Sequence, residues 1–228
     1  AITQDDRSQR PAKTLTKERA HILDEKLLAL AQRLSVLVGK AQGMMVEFTA
    51  VQSDSGSTIM AFELARLVAE CFGKEILFVL GDNDLRLPGD GNWDTQKTWQ
   101  HVVQGKASVD DAVCRYETGS NLYISRIAAS DVAVPGVVAC PEMSGLSTRL
   151  RERFGLIIID APPIGASTNA AVLAPITDGA IVVLEAGKTR WQIARAALDQ
   201  IVAHHGKVLG VVLNKQRHPV PDFIYSRL

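Results

Sequence analysis

Cysteine is scarce in this 228-residue chain, and no excess of charge of either sign is present. The three cysteines, Cys71, Cys114 and Cys140, form no C-x-x-C pair, which argues against a metal knuckle or a disulfide framework. The reading they support is buried cytosolic thiols, with Cys71 on an apolar helical face. Lys+Arg 25 balance Asp+Glu 25, so nothing electrostatic draws the chain to nucleic acid. No apolar run approaches the roughly 18 residues of a membrane span, and no signal peptide is visible. A membrane role would therefore come through a partner. No Pro/Gly-rich linker divides the sequence, so one large α/β domain is expected rather than two small ones.

What is present is a hydrophobic content of 46%, ample for a core, and one informative stretch from Met44 to Arg86. Met44 to Val51 reads as an apolar strand. Gln52 to Thr58 (QSDSGST) is a turn rich in small polar residues. A helix follows, with Ile59, Phe62, Leu67, Val68 and Cys71 near 3.6-residue spacing and Gly73 placed to stop it. Ile76 to Leu80 is a second strand, running into Asp82-Asn83-Asp84-Leu85-Arg86. Strand, loop and helix with Gly, Ser and Thr at the turn is how P-loops present backbone N–H groups to phosphates. Against the pattern G-x-x-x-x-G-K-[ST], Gly56 is the second glycine and Thr58 the hydroxyl position. Ser57 occupies the lysine position and Val51 the first glycine position.

The remaining chain alternates helices and strands. Thr14 onward predicts an amphipathic helix closed by Gly39. Trp99 to Val103 is a short helix, and Ser108 to Asp111 reads as the capping-box start of another. Asn121 to Ile127 is a strand, and Pro141 to Phe154 a basic helix whose Arg149, Arg151 and Arg153 are expected to face solvent. Leu156 to Ile159 is a buried strand ending at Asp160-Ala161-Pro162-Pro163. A helix near Asn169 to Leu173, a strand over Ala180 to Leu184, a helix from Arg190 to His204 capped by Thr189, and a strand from Val208 to Leu213 ending at Asn214 complete the reading. Strands apolar throughout and alternating with helices predict an α/β fold, a doubly wound and mainly parallel sheet covered on both faces. Ligands of such sheets bind beyond the carboxyl ends of strands. The loop 52–58, Asp82, Asp84, Asp160 and Asn214 all fall at such ends.

In that order the motifs resemble the cytoplasmic domain of bacterial tyrosine autokinases, relatives of the MinD/ParA P-loop ATPases that serve capsule and exopolysaccharide assembly. Ser57-Thr58 with Leu64-Ala65 matches the family's first motif weakly. Asp82-Asn83-Asp84-Leu85-Arg86-Leu87-Pro88 matches the second and LIIIDAPP (Leu156 to Pro163) the third, both specifically. Gly210 to Asn214 matches the closing strand. The resemblance spans about residues 40–215. It implies a domain over 41–216, with 1–40 as a tail and a helix packing on it, and 217–228 as a second tail. It also implies ATP or ADP with Mg²⁺ as cofactor. Thr58, Asp82 and Asp160 would hold the metal, Asp82 and Asp84 would serve catalysis, Gly56, Ser57, Thr58 and Asn214 would hold nucleotide, and Tyr225 would be a candidate phosphoacceptor. Read without the family, Asp82 and Asp84 serve equally as turn or capping residues.

Departures from the family pattern shape the functional expectation. The loop lysine is replaced by Ser57, while Asp54 and Glu63 bring negative charge near the loop. The tail PDFIYSRL carries one tyrosine instead of a cluster. The E-x-x-R-x-x-R pattern that supports ring assembly in the family is absent from the first helix, and homo-oligomerisation is left open. The expectation is a cytoplasmic pseudoenzyme or regulatory subunit of exopolysaccharide or capsule synthesis and export. It would act on a membrane-embedded polysaccharide co-polymerase or export protein, with no nucleic acid and no membrane span of its own. The alternative is an active ATPase or tyrosine autokinase in which another cation, Arg86 or Lys74, replaces the lysine. A MinD/ParA-type positioning ATPase is a third reading, disfavoured by Gln52 at the loop's start.

Overall fold

The computed structural model describes residues 27–33, 43–81 and 97–216. Residues 27–33 are helical (α1). The ordered elements that follow are β1 (Met44–Ala50), α2 (Ser57–Phe72), β2 (Ile76–Leu80), α3 (Trp99–Val103), β3 (Val113–Arg115), β4 (Leu122–Arg126), α4 (Val134–Val138), α5 (Met143–Arg153), β5 (Leu156–Asp160), α6 (Asn169–Leu173), β6 (Gly179–Glu185), α7 (Trp191–Ala203) and β7 (Val208–Asn214). They build a seven-stranded sheet in the order β3-β4-β2-β5-β1-β6-β7. Every described pairing is parallel except β3 with β4.

This is the doubly wound α/β layer that the sequence predicts. β1, β2 and β5 are buried along their whole length, which is why β2 and β5 read as apolar runs rather than alternating ones, whereas β1 buries Glu47 and Thr49 among its apolar residues. One face packs α2 and residues Leu27 and Ala31 of α1 against Phe48, Phe78 and Ile158. The other packs α3 to α7 against Met45, Leu77, Ile157 and Val182. From β1 the chain steps past β5 to β2, and later strands fill in on both sides of β1. The carboxyl end of β1 therefore lies beside the point where strand order reverses, where open α/β sheets hold their ligands.

Several local expectations are corrected. The buried stripe of α2 is Met60, Ala61, Phe62, Leu64, Ala65, Val68 and Ala69, while Ile59 is exposed. Cys71 is exposed, and Cys114 and Cys140 are only half-buried, so the thiols are not core residues. Gly73 does end α2, in the left-handed conformation. Ser108 N donates to Asp111 Oδ2 and Asp111 N to Ser108 Oγ, as a capping box requires, but only a single 3-10 turn follows before β3. That short antiparallel strand escapes a reading based on apolar runs because two of its residues are half-buried and one exposed. Thr189 does not cap α7, since its hydroxyl accepts from Glu185 N at 3.1 Å and Arg190 occupies the cap position.

Two arginines assigned to solvent are structural. Arg151 Nη1 donates to Asp178 Oδ2 at 2.6 Å and to Gly43 O at 2.8 Å. Asp178 Oδ2 also accepts from Met45 N at 2.8 Å, which ties α5, β1 and the start of β6 together. Arg153 lies over the rings of Tyr123 and Phe154 at 5.1 and 4.8 Å.

Candidate nucleotide site

Residues 51–56 join β1 to α2 as a tight loop. Gly56 takes the left-handed conformation at the helix N-cap (φ 83°), and no side chain caps the helix. A Cβ there would stand 2.6 Å from Asn214 Nδ2, so the close approach of β7 requires glycine. Ser55 Oγ donates to Gln52 O at 2.7 Å and closes the loop on itself. The first turn of α2 contains no acid, so the positive end of its 16-residue dipole is not neutralised from within. The leading N–H groups of a helix have no partner inside it, which makes this end suited to an anion.

Three strand ends converge on the loop. From β5, Asp160 is 1% exposed and its Oδ2 accepts from Thr58 Oγ1 at 2.8 Å. From β7, Asn214 Nδ2 donates to Ser55 O at 2.8 Å, and Asn214 Oδ1 accepts from Lys215 N at 2.8 Å. Beyond it, Lys215 Nζ donates to Asp54 O and lies 3.4 Å from Glu185 Oε2 at the end of β6. Lys188 reaches the same carboxylate at 3.2 Å. Lys188, with Lys215 adding, holds the Glu185 carboxyl below its ordinary range. Asp54 and Lys215 both adopt positive φ, 64° and 56°, a conformation side-chain-bearing residues adopt at some cost.

Gly56, Ser57, Thr58, Asp160 and Asn214 are thus brought together. Asp82, Asp84, Arg86 and Tyr225 lie outside the described residues. Two expectations about charge change. Glu63 pairs with Arg66 at 2.9 Å, but Glu70 shares that guanidinium at 2.7 Å, so the negative charge of Glu63 is only partly offset. Lys74 cannot replace the missing lysine, since its stem packs against Gly155 at the opposite, amino end of the sheet. The residues that sequence reasoning missed are Lys215 and Glu185. The available signal for Lys215 was its place immediately after Asn214 at a strand's carboxyl end.

The donor set fits part of a magnesium nucleotide. The Gly56 turn and the α2 N-terminus suit phosphate oxygens, and the Thr58 hydroxyl beside the Asp160 carboxylate suits a hydrated hard cation. A loop lysine, which would meet the terminal phosphates, is missing. Among the described residues no cluster of three His, Cys, Asp or Glu side chains could chelate a metal on its own. No described helix is long and apolar enough to cross a membrane.

No family model matches the chain. Its sequence is similar to the tyrosine-protein kinase CpsD of Streptococcus agalactiae, 24% identical over 197 residues that cover 85% of this chain and 84% of that one. It is also similar to the succinoglycan biosynthesis transport protein ExoP of Rhizobium meliloti, 26% identical over 184 residues, 78% of this chain but 23% of ExoP. In structure it matches the kinase domain of VpsO with a TM-score of 0.69 at 23% identity, covering 88% of this chain and 98% of that domain. The cell division ATPase MinD of Pyrococcus furiosus matches with a TM-score of 0.57 at 18% identity, over 81% and 78% of the two chains. Bacterial tyrosine-protein kinases are therefore the homologues of this chain, and it has the fold of their kinase domains and of MinD/ParA-type P-loop ATPases.

Proposed function

We propose that this chain is a tyrosine-kinase-like module that no longer transfers phosphoryl groups and acts through protein contacts in the synthesis and export of an extracellular polysaccharide. One observation carries the loss of transfer. Ser57 stands at the loop position that needs a cation, and the lysine that does reach the loop, Lys215, arrives from the flank away from Thr58 and Asp160. Phosphoryl transfer gathers negative charge on the phosphoryl oxygens as the bond breaks, and rate depends on positive groups already aimed there. A cation on the far flank cannot meet that charge. The polysaccharide assignment rests on kinship with ExoP and with tyrosine-protein kinases of the CpsD and CapB kind.

Contacts with a membrane-embedded polysaccharide co-polymerase would give such a module its place at the membrane. Co-expression with that partner, followed by extraction and size-exclusion chromatography, tests this part of the reading. The complex should isolate without added nucleotide, and Asp160→Asn should leave it intact. Failure of the two chains to associate, or association only with ATP present, would remove the contact-based reading. A working kinase remains the second reading, favoured by the intact Thr58–Asp160 pair at 2.8 Å.

A further inference from the structure

We infer that Lys215 is the cation of this loop, giving the site affinity for the diphosphate of a nucleotide without giving it turnover. This goes beyond the proposed loss of transfer, because it assigns a retained ligand and the residue that holds it. Sheet order sets the geometry. β5 lies on one side of β1 and β6 with β7 on the other, so the loop after β1 has Asp160 on one flank and Asn214-Lys215 on the opposite flank. A nucleotide whose terminal phosphate approaches Thr58 and Asp160 must run its inner phosphates and nucleoside toward β6 and β7. Lys215 stands on that path.

Four observations support the assignment. The Lys215 ammonium is already docked on the loop at Asp54 O, and its side chain keeps 44% exposure, enough to turn to an arriving anion. Lys215 shares the Glu185 carboxylate with Lys188, so that acid stays paired when Lys215 turns to a ligand. Asn214 fixes both partners at once, holding Ser55 O through Nδ2 and Lys215 N through Oδ1. Finally, Ser57 is 8% exposed at the lysine position, and among the described hydrogen bonds its hydroxyl makes none, leaving a polar side chain at the loop's base for a ligand oxygen.

The shared chemistry of the ligand is a polyphosphate, supplied by ADP or by a free polyphosphate chain. Calorimetric titration of the purified chain with ADP, tripolyphosphate and adenosine separates these sources. The parent should bind ADP, and Lys215→Gln should weaken it at least tenfold, with the same loss for tripolyphosphate and none for adenosine. Lys215→Arg should keep affinity within about threefold, since charge is retained. Glu185→Gln provides a change of opposite sign, because releasing Lys215 from its acid should tighten ADP severalfold whatever the stability of Lys215→Gln. Equal ADP binding by the parent and Lys215→Gln overturns the inference, as does a parent that binds neither ADP nor tripolyphosphate. All of these are binding readouts, so they stand or fall separately from phosphate release, which tests the loss of transfer.

Discussion

Replacing Glu47 by Met is expected to raise the melting temperature, and by more at pH 8 than at pH 4. Glu47 lies on β1 between Ile159 of β5 and Ala180 of β6, is 0% exposed, and neither carboxyl oxygen has a hydrogen-bond partner among the described residues. Burial alone pushes its pKa well above the ordinary value of 4.5. The unfolded chain loses this proton near the ordinary value while the folded chain keeps it. Below that value ionisation costs the fold nothing. Above it each further pH unit removes about 1.4 kcal/mol of stability, until the folded carboxyl itself ionises. Met fills similar volume without a polar group. It should gain about 1–3 kcal/mol even in acid, where an unsatisfied polar group remains buried, and more at neutral and alkaline pH. Gln keeps an unsatisfied amide and should fall between the two at pH 8. Melting curves of the three proteins across pH measure this, at roughly 2–4 °C per kcal/mol for a chain of this size. Parallel pH profiles for parent and Glu47→Met would contradict this, since they require a Glu47 carboxylate that ionises in the fold as readily as in the unfolded chain.

Gly43→Ala should be the most damaging single-methyl change in the molecule's described part. Gly43 has φ 58°, and an added Cβ would stand 2.1 Å from Arg151 O and 2.3 Å from Arg151 Cα. Those are backbone atoms at the end of α5, so no side chain can swing away to make room. Gly43 O also accepts the bond from Arg151 Nη1 that joins this turn to the Asp178 network. The left-handed conformation costs Ala about 1–2 kcal/mol, and the forced displacement of α5 from β1 about 1–3 kcal/mol more. Gly73→Ala is the control. Gly73 has φ 62° but nothing within 4 Å of an added Cβ, so only the conformational cost applies. Chemical denaturation should rank parent, Gly73→Ala and Gly43→Ala in that order, with a loss of roughly 2–5 kcal/mol for the last. Equal losses for the two variants would show that the turn before β1 yields more than its packing suggests.

Much of the fold was legible because parallel strands buried on both faces write themselves as apolar runs. The LIIID of β5 and the ILFVL of β2 are such runs, and the helix stops fall at Gly73 and near His204. β3 was not legible, because three residues at an antiparallel edge leave no periodic trace. The arginines of α5 were misread for a different reason. Periodicity places Arg151 and Arg153 on a polar face, but it cannot show that Asp178 and two aromatic rings come from distant sequence to meet them.

The candidate site was half legible. Thr58, Asp160 and Asn214 were found because each sits at the end of a recognisable strand or loop. Lys215 was not legible because its contact to Asp54 spans 161 residues of sequence. Only strand order brings the end of β7 to the loop after β1.

Phosphate release and phosphotyrosine formation from ATP and Mg²⁺, measured on the purified chain beside Asp82→Asn and Asp160→Asn, test the central claim most directly. The account predicts that the parent is indistinguishable from both variants and from a protein-free blank, while still binding ADP. Turnover by the parent that either substitution abolishes would contradict it and make this chain a kinase with a relocated cation.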